Sequence, residues 1–255
     1  MWSLLRSRRW QGFTALVVVA IVGFGLLSSW QWQRAEEERQ AKNLLVAQTQ
    51  QEPIDLDAAL DQPAALTAEA DLYRPVETTG RYLPDATVLV RQRPLDGRNG
   101  LWVVSAFVTE TGRLIWVNRG WMPATAASTT VIDAPAPPAG EITIDGRLRP
   151  TEVQREVADD LPAGQVRWVD TEVLAARTID LTNADTTVLP VYLEAVSSNV
   201  GEPDLLRLPL PEIDETQNVS YAVQWLIFAA IALTGWFYFL RREAKDDAKQ
   251  RAEVT

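Results

Sequence analysis

Residues Gln217 to Arg242 read QNVSYAVQWLIFAAIALTGWFYFLRR, and the organisation of the whole chain follows from this stretch. No charged residue occurs between Val219 and Leu240. As an α-helix, these residues would extend ~33 Å, which is enough to cross a bilayer core of ~30 Å. We therefore predict a membrane-spanning helix over residues 217–240.

A second uncharged run, Trp10 to Gln33, follows three arginines in the first nine residues. Its apolar part is longer than that of a usual signal peptide, and no Ala-x-Ala cleavage site follows it. Trp30 and Trp32 suit a helix that leaves the bilayer at the headgroup level. We predict an uncleaved anchor over residues 10–33.

Charged residues around the two spans predict their orientation. Arginines precede the first span and the acidic run Glu36–Glu38 follows it, whereas Asp214 and Glu215 precede the second span and Arg241 and Arg242 follow it. Because Lys and Arg resist translocation, both patterns place the termini in the cytoplasm and the middle of the chain outside it.

The remaining boundaries follow from helix signals. Residues 30–42 contain no Gly, Pro or β-branched residue, so the first helix should continue as a polar stalk to about Ala47, before Pro53. The predicted parts are a cytoplasmic tail over 1–9, the first span over 10–33, a helical stalk over 34–52, an extracytoplasmic domain over 53–216, the second span over 217–240 and a charged cytoplasmic tail over 241–255.

Most of the middle domain is predicted to form β-strands, because β-branched and aromatic runs alternate with turn residues. Val76–Tyr82 and Ala86–Arg93 are predicted strands, with Leu83-Pro84-Asp85 as the turn between them. The other predicted elements are strands over 101–109, 113–118, 141–149 and 188–196, turns over 96–100 and 110–112, short helices over 54–60 and 170–177, a loop over 61–71 and an extended run over 202–211. The predicted fold class is a membrane protein with two transmembrane α-helices flanking one mainly β domain, a sandwich or barrel-like sheet with minor α-structure.

The composition excludes several classes of enzyme and cofactor site. The chain has no cysteine and no histidine, so Ser-His and Cys-His nucleophiles, His-ligated metals and His-ligated haem are excluded. A Ser-Lys dyad is disfavoured because Lys42 is the only lysine before the second span. No Gly-rich phosphate loop follows a predicted strand.

The charge of the middle of the chain excludes another class of partner. Residues 35–218 hold 15 basic and 30 acidic residues, a net charge of −15, which disfavours nucleic-acid binding. Two carboxylates acting as acid and base remain an alternative, but among so many acids a pair is more often a solvated surface. We therefore predict no catalytic residue and no metal site.

Two segments contain the candidate binding residues. In Val117–Pro123 a predicted strand ends, and Arg119 is suited to hold a carboxylate in bidentate fashion; the alternative is a structural pair with an acid of the domain. In the second span, Gln224 requires a partner in hydrocarbon, and Tyr221 and Trp225 lie near the same face. The alternative is that Tyr221 and Trp225 anchor the interface while Gln224 reaches towards water.

These residues give the chain a resemblance to the Surfeit-locus-one family, membrane proteins that assist assembly of cytochrome c oxidase. The most specific match is Gly100–Phe107 followed by Val117-Asn118-Arg119-Gly120-Trp121-Met-Pro123. Further matches are Leu27–Arg34, Arg74–Tyr82, Ile144–Arg149 and Tyr221–Trp225. The resemblance implies partner-binding roles for Trp30, Gln31, Arg34, Asn118, Arg119, Trp121, Asn218, Tyr221, Gln224 and Trp225.

Two positions depart from the family pattern. Ser28 stands where the family has glycine, and Asn218 stands where it often has a histidine, three residues before the Tyr-Ala pair. Members with that histidine are linked to the handling of haem a. Since this chain has no imidazole, the resemblance implies no resident cofactor here, and haem a only by transient contact.

The resemblance implies a non-enzymatic assembly factor for aa3-type cytochrome c oxidase, whose helices dock on oxidase subunits and whose acidic domain covers their extracytoplasmic face. The expected partners are those subunits, a cytochrome bc1–oxidase supercomplex and the lipid bilayer, with no nucleic acid. The alternatives are a permanent accessory subunit of an oxidase or supercomplex, and delivery of haem a. The high ratio of Arg to Lys is typical of a GC-rich bacterial genome, which predicts the bacterial plasma membrane as the location.

Overall fold

The computed structural model describes residues 6–61, 73–124, 132–153, 161–176, 178, 189 and 191–253, the last four of these by their backbone only. The chain forms two compact units, one from Met1–Asn43 with Glu212–Thr255 and one from Leu44–Pro211. In chain order the elements are α1 (Arg8–Thr49), β1 (Ile54–Asp55), α2 (Leu56–Leu60), β2 (Pro75–Val90), β3 (Gly100–Thr109), β4 (Leu114–Pro123), β5 (Ile142–Pro150), β6 (Gln165–Val166), α3 (Thr171–Ala176), β7 (Val191–Ser198) and α4 (Thr216–Glu253).

The two long helices, α1 and α4, contain the two predicted spans. By length and composition both could cross a membrane, with mean hydropathies of 2.1 and 1.7 over their most apolar windows. Only 6% of either window is buried inside the protein, whereas the core helix of a water-soluble protein would bury most of its apolar residues. Two candidate membrane-spanning helices therefore flank the β domain in the chain, and α1 continues past its apolar part to Thr49.

Five strands of the second unit form a closed barrel. The strand order is β2-β3-β4-β7-β5, and β5 pairs again with β2 to close it. All of these pairings are antiparallel except that of β4 with β7. The short strands β1 and β6 add to β2 in parallel, which gives seven strands in the sheet. The predicted mainly β domain is confirmed, and its architecture is a barrel.

A predicted turn proves to be part of one long strand. Leu83, Pro84 and Asp85 were expected to separate two strands, but β2 runs through them from Pro75 to Val90. Its register on β3 shifts there, between the pair Tyr82–Phe107 and the pair Thr87–Ser105. Pro84 is tolerated because residues of a bulge have no regular partner in the ladder, and the bulge bends the strand around the barrel.

Two other turns are confirmed. Leu95 and Arg98 exchange backbone hydrogen bonds of 3.0 and 2.9 Å around Asp96 and Gly97, which both have positive φ. The hairpin between β3 and β4 turns at residues 110–112, as predicted, but β4 continues beyond Asn118 to Pro123.

The short helices also follow the prediction closely. Asp55 caps α2, its carboxylate accepting a 2.8 Å hydrogen bond from the backbone N–H of Ala58, although Ile54 and Asp55 themselves pair with β2. The predicted loop over 61–71 lies outside the described residues except for Asp61, and so do Arg177 of the second short helix and Val188 of the last strand.

Apolar residues lie on both sides of the barrel wall. One cluster draws residues from all five barrel strands and from α2, so it fills the interior. A second cluster joins alternate residues of β2, β3 and β4 to β6 and α3 on the outer side. Tyr192 belongs to the outer cluster and its neighbour Leu193 to the inner one, as the alternation of side chains along a strand requires.

Candidate functional site

Two side-chain hydrogen bonds join α1 to α4 within their apolar parts. Trp236 Nε1 donates to Thr14 Oγ1 over 3.0 Å, and Ser28 Oγ donates to the carbonyl oxygen of Ala222 over 3.0 Å. Early residues of α1 thus meet late residues of α4, so the helices are antiparallel. Ser28 and Ala222 are both buried, and small residues at such contacts let helix backbones approach closely.

Charged residues pair at the two ends of the helix contact. Arg9 Nη1 lies 3.5 Å from Glu243 Oε1, and Lys42 Nζ lies 3.4 Å from Glu215 Oε2. Just before α4, Asp214 accepts a 2.9 Å hydrogen bond from the backbone N–H of Thr216, whose hydroxyl also donates to it. These two bonds from Thr216 lower the pKa of the Asp214 carboxyl.

An aromatic cluster lies between the helices near the start of α4. The ring of Phe24 stacks on Trp225 with centroids 5.7 Å apart, and Phe228 lies 5.7 Å from Trp225 and 5.9 Å from Phe24. The indole Nε1 of Trp225 is buried and has no hydrogen-bond partner among the residues described. Trp225 therefore contributes mainly to the contact between α1 and α4.

Asn218, where the sequence resemblance would place a histidine, also contacts α1. Its Nδ2 donates to Glu38 Oε2 over 2.6 Å. A carboxylate is a strong acceptor, so this bond holds the Asn218 amide against the polar part of α1 that follows its uncharged run. One turn later, Tyr221 is 43% exposed and Gln224 is also exposed, so both lie off the helix contact and are accessible to a partner.

The three predicted residues of α1 differ in accessibility. Trp30 is 57% exposed, and Arg34, four residues later, is also exposed, with Glu37 3.7 Å from its guanidinium. Gln31 is half-buried, and its Oε1 has no hydrogen-bond partner in the described part of the chain. Trp30 and Arg34 thus provide an outward surface, whereas Gln31 lies against the protein.

Arg119 belongs to the barrel interior. Only 1% of the residue is exposed, and its guanidinium lies 5.5 Å from the centre of the Tyr82 ring. Its Nε donates to Glu202 over 2.8 Å and its Nη2 contacts the same carboxylate, while the carbonyls of Pro135 and Ala136 accept at 2.8 and 3.0 Å. The carboxylate that Arg119 binds therefore belongs to the domain itself, which is the structural alternative considered for this residue.

The neighbours of Arg119 are buried as well. Trp121 is 1% exposed, and its Nε1 donates to the carbonyl of Arg93 over 2.6 Å. Its ring packs so closely against Gly100 that a Cβ added to this glycine would lie 2.1 Å from the ring. Asn118 accepts a 3.2 Å bond from the N–H of Gly120, while its Nδ2 has no partner among the described residues. Because these side chains are buried, a partner molecule would contact only the surface residues that cover them.

Comparison with known proteins matches residues 18–230 to the family model described as SURF1 family. This span includes the apolar part of α1, the whole barrel and the first turns of α4. The chain belongs to the SURF1 family. The matched residues include the Trp-Gln pair of α1 and the Tyr-Ala pair of α4.

Similar SURF1-family proteins come from bacteria and eukaryotes. An uncharacterized SURF1-like protein of Mycobacterium bovis is 29% identical over 244 residues, 93% of this chain and 86% of that protein. A SURF1-like protein of Monosiga brevicollis is 28% identical over 269 residues, covering 96% and 94% of the two chains. A SURF1-like protein of Rickettsia felis is 27% identical over 240 residues, covering 88% and 96%.

A buried charge network in the barrel was not predicted. Glu194 of β7 is 1% exposed and accepts hydrogen bonds of 2.7 Å from Arg147 and 2.8 Å from Arg149. Arg147 also donates to the carbonyl of Leu208 over 2.9 Å. Burial raises the pKa of the adjacent Tyr192 phenol. The motif containing Arg147 and Arg149 was visible in the sequence, but no residue near Glu194 in the sequence indicated that this acid is their partner.

The predicted site residues therefore form two sets, one in each compact unit. The helix set has an exposed part, Trp30, Arg34, Tyr221 and Gln224, and a part within the helix contact, Gln31, Asn218 and Trp225. The barrel set is buried. Glu38 and Glu202, which bind Asn218 and Arg119, were missed because nothing distinguishes them from the other acids in the sequence. No group of three or more His, Cys, Asp or Glu suited to a metal ion occurs in the described residues.

Proposed function

We propose that this SURF1-family protein is a non-enzymatic assembly factor for aa3-type cytochrome c oxidase. Its two helices dock on oxidase subunits in the membrane. Membership of the family over residues 18–230 supports this proposal most strongly, because assistance in oxidase assembly is the role that the resemblance implies.

The surface of the helix pair supports docking between membrane proteins. Tyr221 and Gln224 are exposed on α4, at the beginning of its uncharged segment, and Trp30 and Arg34 are exposed on α1. A glutamine facing hydrocarbon gains free energy when another helix supplies a hydrogen-bond partner. The proposed docking surface is therefore this exposed set.

The chemistry of the chain supports a role without catalysis or a resident cofactor. Its sequence has no histidine and no cysteine, and Arg119 and its carboxylate partner are occupied with each other inside the barrel. Contact with haem a, if the oxidase presents it, would be transient and without an imidazole ligand.

The proposed location is the bacterial plasma membrane, with both termini in the cytoplasm and the β domain on the extracytoplasmic side. The basic residues beside the outer ends of the two spans support this orientation through the positive-inside rule. The acidic barrel would then cover the extracytoplasmic face of the docked subunits.

A permanent accessory subunit of an oxidase, or of a cytochrome bc1–oxidase supercomplex, is the second candidate. The observation that favours it is Asn218, which is bonded to Glu38 where family members often have a histidine. A subunit that remains bound needs no cofactor site at this position.

Co-purification of the tagged chain with oxidase in mild detergent tests both candidates. An assembly factor should be found with immature oxidase and fall well below one copy per mature enzyme, whereas an accessory subunit should persist at a fixed ratio. Deletion of the gene should lower the amount of assembled aa3-type oxidase. Normal oxidase levels after deletion, with no oxidase in the purified material, would refute both.

A pair of variants tests the docking surface. Gln224→Leu removes the amide from the exposed face and should reduce co-purification, because the partner loses a hydrogen bond within the membrane. Leu233→Met is the control, since Leu233 is exposed on the same helix and carries no polar group. Equal recovery of oxidase with the two variants would show that Gln224 does not contact it.

A further inference from the structure

The charged end of α4 carries a groove that the proposed function does not use. The groove has a volume of about 460 Å³ and is lined by Thr234, Phe237, Tyr238, Arg241, Arg242 and Lys245. These residues recur at helical spacing, so the groove is a single stripe of α4, about 16 Å long at the helical rise. It crosses from the uncharged segment to the basic segment that follows it.

The stripe lies away from the contact with α1. In this region α4 meets α1 through residues that include Trp236, which donates to Thr14, and Glu243, which pairs with Arg9. Phe237 and Tyr238 are 41% and 60% exposed, and Arg241, Arg242 and Lys245 are also exposed. In a bilayer, the aromatic part of the groove therefore faces acyl chains and the basic part reaches the headgroups.

The three cations of the groove are available to an anion. None of them forms an ion pair with a residue that the structure describes, whereas the nearby carboxylate of Glu243 is held by Arg9. The guanidinium of Arg241 lies 4.2 Å from the centre of the Phe237 ring, which holds it beside the apolar half of the groove. Guanidinium groups bind phosphate oxygens in bidentate fashion, and an ammonium adds a further donor.

We propose that this groove binds an anionic phospholipid, with the phosphodiester on Arg241, Arg242 and Lys245 and an acyl chain along Phe237 and Tyr238. The three cations favour a lipid with an anionic headgroup. The aromatic side chains favour a molecule that also has an acyl chain over a free anion. The proposal needs α4 to span a bilayer, but it does not depend on a role in oxidase assembly.

A second groove in the same unit provides an internal comparison. It has a volume of about 550 Å³ and is lined by Gly25, Ser28, Ser29, Trp32, Gln33, Glu36 and Leu226. This groove is larger, but no cation is among the described residues that line it, and Glu36 would repel a phosphate. Size alone therefore does not distinguish the proposed lipid site; the convergence of three cations with an apolar wall does.

Native mass spectrometry of the full chain in detergent tests the proposal. The protein is titrated with phosphatidylglycerol, with phosphatidylcholine of the same acyl chains, and with inorganic phosphate. We expect retention of phosphatidylglycerol well above that of the other two. Equal retention of the two lipids, or retention of inorganic phosphate as strong as that of phosphatidylglycerol, would overturn the assignment to an anionic lipid.

Matched double variants locate the site. Arg241→Gln with Lys245→Gln should weaken phosphatidylglycerol binding roughly 25-fold, at about five-fold for each charge near the headgroups. Arg6→Gln with Arg8→Gln removes the same charge outside the groove and should have a much smaller effect. Phe237→Ala, which keeps every charge, should also weaken binding. Equal losses from the two double variants would show attraction to net charge and overturn the groove as the site.

Discussion

At the scale of single residues, Arg119 belongs to a motif that resembles a binding site, yet its side chain makes contacts within the fold. Its guanidinium is buried in the barrel, and Glu202, Pro135 and Ala136 supply the oxygens that replace water around it. A buried charge is tolerable only when it is paired and hydrogen-bonded in this way. The motif therefore secures the segment that contains Glu202 to the barrel.

Removal of the negative charge from this pair should destabilise the domain. Glu202→Gln leaves Arg119 charged and without its counter-ion, and we expect the free energy of unfolding to fall by about 3–5 kcal/mol. Urea titration of the protein in detergent measures the change. Glu37→Gln is the control, because its partner Arg34 is exposed and such pairs contribute little. A loss from Glu202→Gln no larger than that of the control would contradict a stabilising role for the pair.

Tyr82, next to Arg119, should make the domain sensitive to alkaline pH. Burial, with a smaller effect of the Glu202 carboxylate, raises the pKa of the Tyr82 phenol above its usual value of about 10. Above pH 10 the unfolded chain releases this proton and the folded chain keeps it, so stability should fall by roughly 1.4 kcal/mol per pH unit from this group. Below pH 10 the contribution is fully present.

Urea titrations between pH 9 and 11.5 test this behaviour, with Tyr82→Phe as the variant. The variant should lose less stability with rising pH than the parent chain, since it has no proton to release. Parallel curves for Tyr82→Phe and the parent would show that Tyr82 does not titrate differently in the two states.

At the scale of elements, the contact between α1 and α4 depends on small residues and on matched polar groups. Ser28 stands where the sequence resemblance places a glycine, and its hydroxyl donates to the carbonyl of Ala222. The substitution thus keeps the close approach of the backbones and adds a hydrogen bond. The bulge of β2 also depends on a neighbouring element, because Leu83–Asp85 lies between two stretches of β2 that both pair with β3.

A disulfide can report the register of this helix pair, because the chain has no cysteine of its own. Ser28→Cys with Ala222→Cys should form a bond between α1 and α4 on oxidation, since the two residues are in contact. A protease site inserted at the exposed turn of Gly97 makes the bond visible as joined fragments on a non-reducing gel. Ser28→Cys with Val223→Cys should remain separate, because Val223 is turned outward. Joining of the second pair alone would refute the register.

At the scale of the whole molecule, the β domain and the ends of the two candidate spans differ in charge. The barrel and its flanks carry a net charge of −15, and arginines lie beside the outer ends of both spans. Such asymmetry directs membrane insertion because translocation of Lys and Arg is disfavoured. The negative charge of the domain also disfavours its contact with anionic lipid, whereas the proposed lipid site lies at the basic end of α4.

Single cysteine reporters test this topology in intact bacterial cells. Asn99→Cys lies in an exposed turn of the β domain, and Lys249→Cys lies near the end of α4. A membrane-impermeant maleimide should label Asn99→Cys in spheroplasts and Lys249→Cys only after lysis. Labelling of Lys249→Cys first would reverse the orientation, and labelling of both before lysis would refute cytoplasmic termini.

Much of this architecture was readable from local sequence. Some features depend only on residues that are close together in the sequence, so they are visible without a structure. They are the length of each uncharged run, the charges beside it and the turn residues at Asp96-Gly97 and 110–112. Asp55 as a helix cap is another local signal. The turn predicted at Leu83–Asp85 was wrong because a proline in a bulge and a proline in a turn look alike in isolation.

The sequence by itself determined the two spans, the charge that predicts their orientation, the absence of imidazole and thiol chemistry, and the SURF1-family resemblance. Only the tertiary structure decided that the sheet closes through β2 and β5, that Glu202 and Glu194 are the buried partners of arginines, and that Asn218 binds Glu38. The physical reason is distance along the chain. Spans, caps and turns are stabilised by near neighbours, whereas barrel closure and buried ion pairs join residues far apart, and any of 30 acids could have filled those roles.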